Sequence, residues 1–123
     1  MKDLVVWFEI PVDNFVRAKK FYNKLLETTI EAEEIGGVMM GFFQLPDYSN
    51  SGAIVQGPGY EPGGKGPLLY FNAGKDLRPM LKRAETAGAE ILQPRTLISE
   101  AIGYYAIFRD TEGNRIALHS KGE

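Results

Sequence analysis

The 123-residue sequence predicts an α+β fold made of two βαβββ modules in tandem. An apolar strand followed by an amphipathic helix occurs twice, and shorter strand segments follow each helix. A stretch rich in glycine and proline separates the two series. We expect one domain over residues 1–123, with module one at about 3–56, a connector at 57–67 and module two at about 68–120. The modules should pair to enclose a cleft, since neither can cover its own sheet face alone.

Module one opens with a strand and a helix. Leu4–Val12 is rich in β-branched and aromatic residues, which predicts a strand buried on both faces. Asp13 or Asn14 can cap the helix, because a short polar side chain accepts hydrogen bonds from the unpaired amides of the first turn. Its apolar residues recur at three- and four-residue steps, which indicates core packing. They are Phe15, Ala18, Phe21, Tyr22, Leu25 and Leu26. The segments GGVMMGFFQLP and SGAIVQ predict two further strands around the turn DYSNSG, and EAEE from Glu31 to Glu34 predicts a solvated edge.

The connector GPGYEPGGKGP is too rich in glycine and proline for a helix or a central strand. It is not a phosphate loop, because it lacks a lysine followed by Ser or Thr and precedes a strand.

Module two then repeats the pattern, with Asp76 predicted to cap its helix and Gly88 to end it. The segments EILQP, GYYAIFRD and NRIALHS predict three strands. Asp110 and Glu112 of DTEGN are interpreted as residues of a hairpin turn.

Composition excludes several classes of protein. The net charge is -2, with 14 Lys+Arg against 16 Asp+Glu, so we expect no nucleic-acid or anionic-membrane partner. No cysteine is present, which excludes disulfides, thiolate metal sites and thiol catalysis. No apolar run is long enough to span a bilayer, and the first residues lack a signal-peptide core. A cytoplasmic location is the expectation.

Two phrases of the sequence resemble a known superfamily. The opening FEIPVDNFVRAKKFYNKLLE and the closing FRDTEGNRIALHS, with the repeated βαβββ unit, are similar to the vicinal oxygen chelate superfamily. That group includes glyoxalase I, extradiol dioxygenases, fosfomycin-resistance proteins and bleomycin-resistance proteins. The resemblance covers roughly Leu4 to Ser120 and does not distinguish among these members.

The resemblance implies a pseudo-twofold metal site, in which each module supplies a histidine from its first strand and a carboxylate from its last. The first-strand positions fall on Trp7 and Leu68, and the last-strand position of module two falls on Ala117. In module one it falls on Ile54 or Gln56. None of these is a histidine or a carboxylate, whereas a divalent ion needs about three or four such ligands. We therefore expect no bound metal and no cofactor.

Alternation along the strands predicts which side chains face the cleft instead of metal ligands. The predicted floor is apolar and aromatic, with a few polar groups directed towards it, as is usual for a small-molecule site. The expected ligand-binding residues are Trp7, Gln56, Leu68, Tyr70, Asn72 and Ala117. A packed core that leaves no cavity between the modules is the alternative.

His119, the only histidine in the chain, has three interpretations. It could ligate a metal with Glu9, or act as a general acid or base oriented by Glu9, since its ordinary pKa suits proton transfer near neutrality. It could also be a strand-end residue hydrogen-bonded to a backbone carbonyl, which is the interpretation that the sequence favours.

Two functions remain open. The first is a metal-independent protein of the glyoxalase/bleomycin-resistance type that binds an aromatic or amphiphilic small molecule. The second is a lyase- or isomerase-like enzyme that uses Glu9 and His119 as acid-base groups. We also expect a homodimer, because the edge strands of a single small chain need covering.

Overall fold

The structure, a computed structural model, describes residues 2–46, 48 and 51–122. It contains two four-stranded sheets and two helices in the predicted order, which confirms the α+β fold with two βαβββ modules. Module one consists of β1 (Trp7–Pro11), α1 (Phe15–Leu26), β2 (Glu31–Ile35), β3 (Val38–Phe42) and β4 (Ser51–Gln56). Module two consists of β5 (Leu69–Asn72), α2 (Arg78–Thr86), β6 (Glu90–Ser99), β7 (Gly103–Arg109) and β8 (Arg115–Ser120).

Both sheets have the same topology. The first runs β1-β4-β3-β2 and the second β5-β8-β7-β6, and in each the first strand is parallel to the last. β1 and β5 are therefore edge strands of separate sheets. The rings of Phe8 on β1 and Phe71 on β5 have centroids 5.9 Å apart, so these two edges lie beside each other. We call the line between them the seam.

One hydrophobic core is shared by the two modules. The buried face of α1 contains Ala18, Phe21, Tyr22 and Leu25, as its periodicity predicts. Phe21 contacts Phe108 on β7, with ring centroids 5.7 Å apart, so a helix of module one packs against the sheet of module two. The core therefore lies on the helix-facing side of both sheets. We call the opposite side of each sheet its outer face.

The helix boundaries agree closely with the sequence patterns. The Oδ1 atom of Asn14 accepts from the Arg17 amide at 3.0 Å, so Asn14 is the residue that caps α1. The Asp76 carboxylate accepts from the Arg78 amide at 3.0 Å, although Leu77 lies between Asp76 and the first helical residue. Gly88 follows α2 with a φ of 113°, a left-handed conformation that glycine adopts at little cost.

Two strand predictions need correction. β1 begins at Trp7 and not at Leu4, which is fully exposed, and only one face of β1 is buried, because Trp7 and Glu9 on the other face remain exposed. β6 continues past Pro94 to Ser99, with shifts in its pairing to β7. Proline cannot donate to a ladder, so the strand passes it through an irregularity. The turn predicted around DYSNSG includes positions 47, 49 and 50, which lie outside the described residues.

A buried polar network joins the turn between β7 and β8 to the start of α1, and we call it the latch. The Glu112 carboxylate, 8% exposed, accepts from the Asn14 amide at 2.8 Å and from the Arg17 Nε at 2.7 Å. Tyr22 donates its buried hydroxyl to Asp110 at 2.5 Å. Asp110 also accepts from the Glu112 amide at 2.8 Å, which forms the turn that the sequence predicts. Glu112 therefore does more than its predicted turn role, because it binds the other module.

The charge of the Glu112 carboxylate in the latch depends on pH. Burial acts to raise the pKa of Glu112, but hydrogen bonds from Arg17, the Asn14 amide and Thr111 outweigh it and lower the pKa below its usual range. A carboxyl whose pKa is lower in the folded than in the unfolded chain stabilises the fold above its unfolded pKa. That stabilisation disappears as the pH falls through the folded pKa.

We predict that Glu112→Gln lowers the free energy of unfolding at pH 7 by about 2 kcal/mol, because the buried charge-assisted hydrogen bonds are lost. The difference from the unmodified protein should shrink as the pH falls below the ordinary glutamate pKa of 4.5. Urea unfolding across this pH range measures both effects. Glu90→Gln is the control, since Glu90 pairs with Arg109 at the surface and its loss should cost little. Equal effects of the two substitutions would contradict the role of the latch.

Candidate functional site

The outer face of module one is aromatic and acidic. Trp7 and Glu9 alternate onto it from β1, and the Trp7 ring lies 6.0 Å from the ring of Phe42 on β3. Trp7 remains 43% exposed, and its Nε1 donates to Glu9 at 3.3 Å. Large aromatic surface left in contact with solvent beside hydrogen-bonding groups is typical of a binding surface.

The connector contributes a tyrosine to the part of this face formed by Trp7 and Glu9, which we call the Trp7–Glu9 corner. Tyr60 donates its hydroxyl to the second carboxylate oxygen of Glu9 at 3.1 Å, and this hydrogen bond raises the pKa of Tyr60. Sequence reasoning missed Tyr60, although it is the one aromatic residue among the glycines and prolines of the connector. Both oxygens of Glu9 therefore have protein donors, which hold its side chain in place against the Trp7 ring.

The outer face of module two carries Tyr70 and Asn72 from β5, with Ala117 and His119 opposite them on β8. Tyr70 is 52% exposed. Leu68, the half-buried residue before β5, has the same parity as Tyr70. The structure thus places Tyr70, Asn72, Ala117 and His119 on one face, as alternation predicts, whereas Leu68 lies just before the first paired residue of β5.

Gln56, the remaining predicted ligand-binding residue, does not lie on an outer face. It has the same parity on β4 as Ile54, a core residue, so it lies on the helix-facing side, where its Oε1 accepts from the Phe15 amide at 2.6 Å. The strand pairing shows the cause of the error. Glu9 lies opposite Ala53 and Tyr70 lies opposite Ala117, so the counterpart of Ala117 in module one is Ala53. The register assumed from the sequence was one residue out for Ile54 and three residues out for Gln56.

The pairing of Glu9 with His119 that the acid-base alternative requires is absent from the described chain. Glu9 binds Trp7 and Tyr60 on the first sheet, whereas the Nε2 of His119 lies 2.6 Å from the Ile102 carbonyl oxygen at the second. A carbonyl oxygen can only accept, so Nε2 carries the proton. His119 is engaged as the strand-end interpretation expects.

The positions that would hold a metal do not fit one. In the register that the pairing defines, the two last-strand positions are Ala53 and Ala117, both fully buried alanines, and the first-strand positions are Trp7 and Leu68. Over residues 2–46, 48 and 51–122, no group of three or more His, Cys, Asp or Glu side chains is arranged to hold a metal ion.

A wide cleft of about 690 Å³ lies at the seam, between β1 and the connector on one side and β5 and β8 on the other. Glu9, Lys65 and Arg115 line it with several apolar side chains. Asn114 and Arg115 fix the connector above it, because Asn114 accepts from the Gly63 amide at 3.0 Å and Arg115 donates to the Gly64 carbonyl at 3.0 Å. The cleft has the size of a small-molecule site and is continuous with the Trp7–Glu9 corner through Glu9.

These features define a protein with two βαβββ modules, a shared core and an aromatic, polar surface at the positions of a pseudo-twofold site. The chain belongs to the Glyoxalase/Bleomycin resistance protein/Dioxygenase superfamily, whose family model matches residues 4–118. The superfamily resemblance noted in the sequence is thereby confirmed.

Solved structures show the same fold. TnmS3, an antibiotic binding protein from Streptomyces sp. CB03234, is 23% identical, with a TM-score of 0.72 and 98% of each chain covered. A glyoxalase/bleomycin resistance protein/dioxygenase family enzyme from Burkholderia phytofirmans PsJN is 15% identical, with a TM-score of 0.70, over 94% of this chain and 96% of that one. No curated protein matches this chain. None of the helices in the described part of the chain is long and apolar enough to cross a membrane.

We predict that His119→Ala lowers the free energy of unfolding by about 1 kcal/mol, since the Ile102 carbonyl loses its donor. His119→Gln retains an N–H group and should cost less. Because the chain has a single histidine, nitrogen NMR can show directly that the neutral imidazole is protonated at Nε2. A variant with unchanged stability and weakened binding of a ligand would instead favour a role in the site.

Proposed function

We propose that this protein binds an aromatic or amphiphilic small molecule on its outer faces, without a metal. The observation that carries this proposal is the pair of solvent-exposed aromatic side chains, Trp7 and Tyr70, with hydrogen-bonding groups beside them. They occupy the faces on which the superfamily resemblance places metal-dependent chemistry. The same fold serves an antibiotic binding protein, so it is compatible with a binding function.

The same residues support the proposal of metal independence. Alanine, leucine and tryptophan side chains offer no lone pair to a divalent ion, and Glu9 is a single carboxylate already bound by two donors. Catalysis by a Glu9–His119 pair has less support, because each group has another partner in the chain. Binding without chemistry is therefore the function that the geometry favours.

We predict that a thermal-shift screen of small aromatic and amphiphilic compounds yields ligands that bind equally well with and without a chelator. A ligand at a hundred times its Kd should add about 2.7 kcal/mol of apparent stability. Elemental analysis after dialysis should find far less than one transition metal ion per chain. Loss of binding on chelation, or one tightly held metal per chain, would contradict metal independence.

The matched variants for this screen are Trp7→Leu and Val16→Ala. Trp7→Leu removes the exposed indole and should weaken binding by about tenfold, because stacking on the ring is lost. Val16 is exposed on α1, away from the outer faces, so Val16→Ala should leave the affinity unchanged. If no compound of either class stabilises the protein, the proposed function is wrong.

We also propose that two copies of the chain associate and cover each other's outer faces. Cross-strand pairing puts Glu31 opposite Phe42 and Glu33 opposite Met40, so β2 adds acidic groups to the face that carries Glu9. The outer face of module two carries Arg115 and Arg109 instead, with Glu90 beside Arg109. An acidic face opposite a basic one favours pairing of module one with module two of a second copy.

We predict a dimer mass by light scattering at micromolar concentration. Glu33→Lys should shift the equilibrium towards monomer, because it places a positive charge on the acidic face. Glu34→Lys is the matched control, since Glu34 is next in the same strand and points to the opposite side. A monomer mass for the unmodified protein, or the same effect from both variants, would contradict this mode of association.

A further inference from the structure

A second pocket lies at the other end of the seam from the wide cleft. Its volume is about 250 Å³, and none of its described lining residues is Trp7, Glu9, Ala117 or His119. We call it the seam pocket. Its lining residues are Phe8, Leu26, Phe43, Leu45, Tyr48, Ser51, Tyr70, Phe71 and Asn72.

Three phenylalanine rings form the inner wall of the seam pocket. Ring centroids are separated by 5.8 Å for Phe8 and Phe43, 5.9 Å for Phe8 and Phe71, and 6.3 Å for Phe43 and Phe71. The first pair is stacked and the third is edge-on, so the wall already contains both preferred geometries of aromatic contact. A further aromatic ring can meet such a wall in either preferred geometry.

The polar groups of the seam pocket are largely used within the chain. Tyr48 donates its hydroxyl to the Asn72 carbonyl at 2.8 Å, and Ser51 donates to the Phe43 carbonyl. The Oδ1 of Asn72 accepts from the Gly74 amide at 2.9 Å. No Asp, Glu, Lys, Arg or His is among the described residues that line the pocket. A charged ligand would therefore lose its hydration without gaining a partner, which disfavours it.

The size of the pocket limits the ligand further. Drug-sized sites start at about 300 Å³, and an apolar cavity of about 150 Å³ lined by Leu, Ile and Phe side chains stays dry and binds benzene. We propose that the seam pocket binds a small neutral aromatic molecule of one or two fused rings, at a site that shares Tyr70 and Asn72 with the outer face of module two but is not lined by Trp7, Glu9, Ala117 or His119. This inference does not depend on the proposed function.

The test follows the methyl groups of Leu26 and Leu45 by NMR while indole is added. We expect saturable shifts of these methyls, with those of Leu92 on β6 unchanged. Tryptamine and indole-3-carboxylate, which add a charge to the same ring, should bind about tenfold more weakly. Carbazole, with three fused rings, should not produce the shifts. Absence of saturable shifts, or equal affinity for the charged probes, would overturn the inference.

Two variants locate the bound indole. Leu45→Trp fills part of the seam pocket and should abolish the Leu26 methyl shifts, whereas Leu92→Trp on the exposed side of β6 should not. The dispersion of the other methyl signals shows whether each variant is folded. Trp7→Leu should leave indole binding intact. If Trp7→Leu abolishes the shifts, or if indole binds Leu45→Trp normally, the ligand does not occupy the seam pocket and the inference is wrong.

Discussion

The ion pair between Arg17 and Glu112 fixes the relation of the two modules on which the rest of the structure depends. The described strands form two sheets that share no backbone ladder, so only side chains and the connector hold the modules together. Glu112 is buried at the turn of module two and binds the first turn of α1 in module one. It holds the start of α1 at the turn that follows β7, beside the contact of Phe21 with Phe108. The wide cleft and the seam pocket both lie between the two modules that these contacts join.

Small side chains at the centre of each outer face decide what the faces can bind. Ala53 and Ala117 are related by the repeat and are both fully buried. A histidine or carboxylate at either position would extend over the sheet, whereas alanine leaves space that neighbouring rings can occupy. The Trp7 ring reaches across β4 towards Phe42 in this way. Alanine at these positions therefore supplies no metal ligand and at the same time leaves room for an aromatic surface.

The sequence predicted the order of elements well, because apolar periodicity and capping residues are local signals. It also placed Trp7, Tyr70 and His119 on the correct faces, since alternation needs only the strand itself. It failed for Gln56, because register between strands depends on loop lengths, and the loop before β4 gave no fixed reference. It failed for Glu112 for a different reason. Asp110 and its neighbours have the composition of a turn, and the sequence predicts only that turn. Nothing local indicates that the Glu112 carboxylate binds Arg17 on a helix 95 positions earlier. Long-range polar partners are not encoded in short patterns.

The shared core has a consequence for how such a repeat could have arisen. Phe21 and Tyr22 of α1 contact residues of module two, Phe108 and Asp110 respectively. A solitary βαβββ unit would expose this aromatic surface to water and leave its helix without a second sheet to pack on. An ancestral single-module polypeptide would therefore have been stable only as a pair of identical copies. Duplication and fusion would then have joined a dimer that already existed, and freed each copy to diverge, one towards acidic residues and the other towards basic ones.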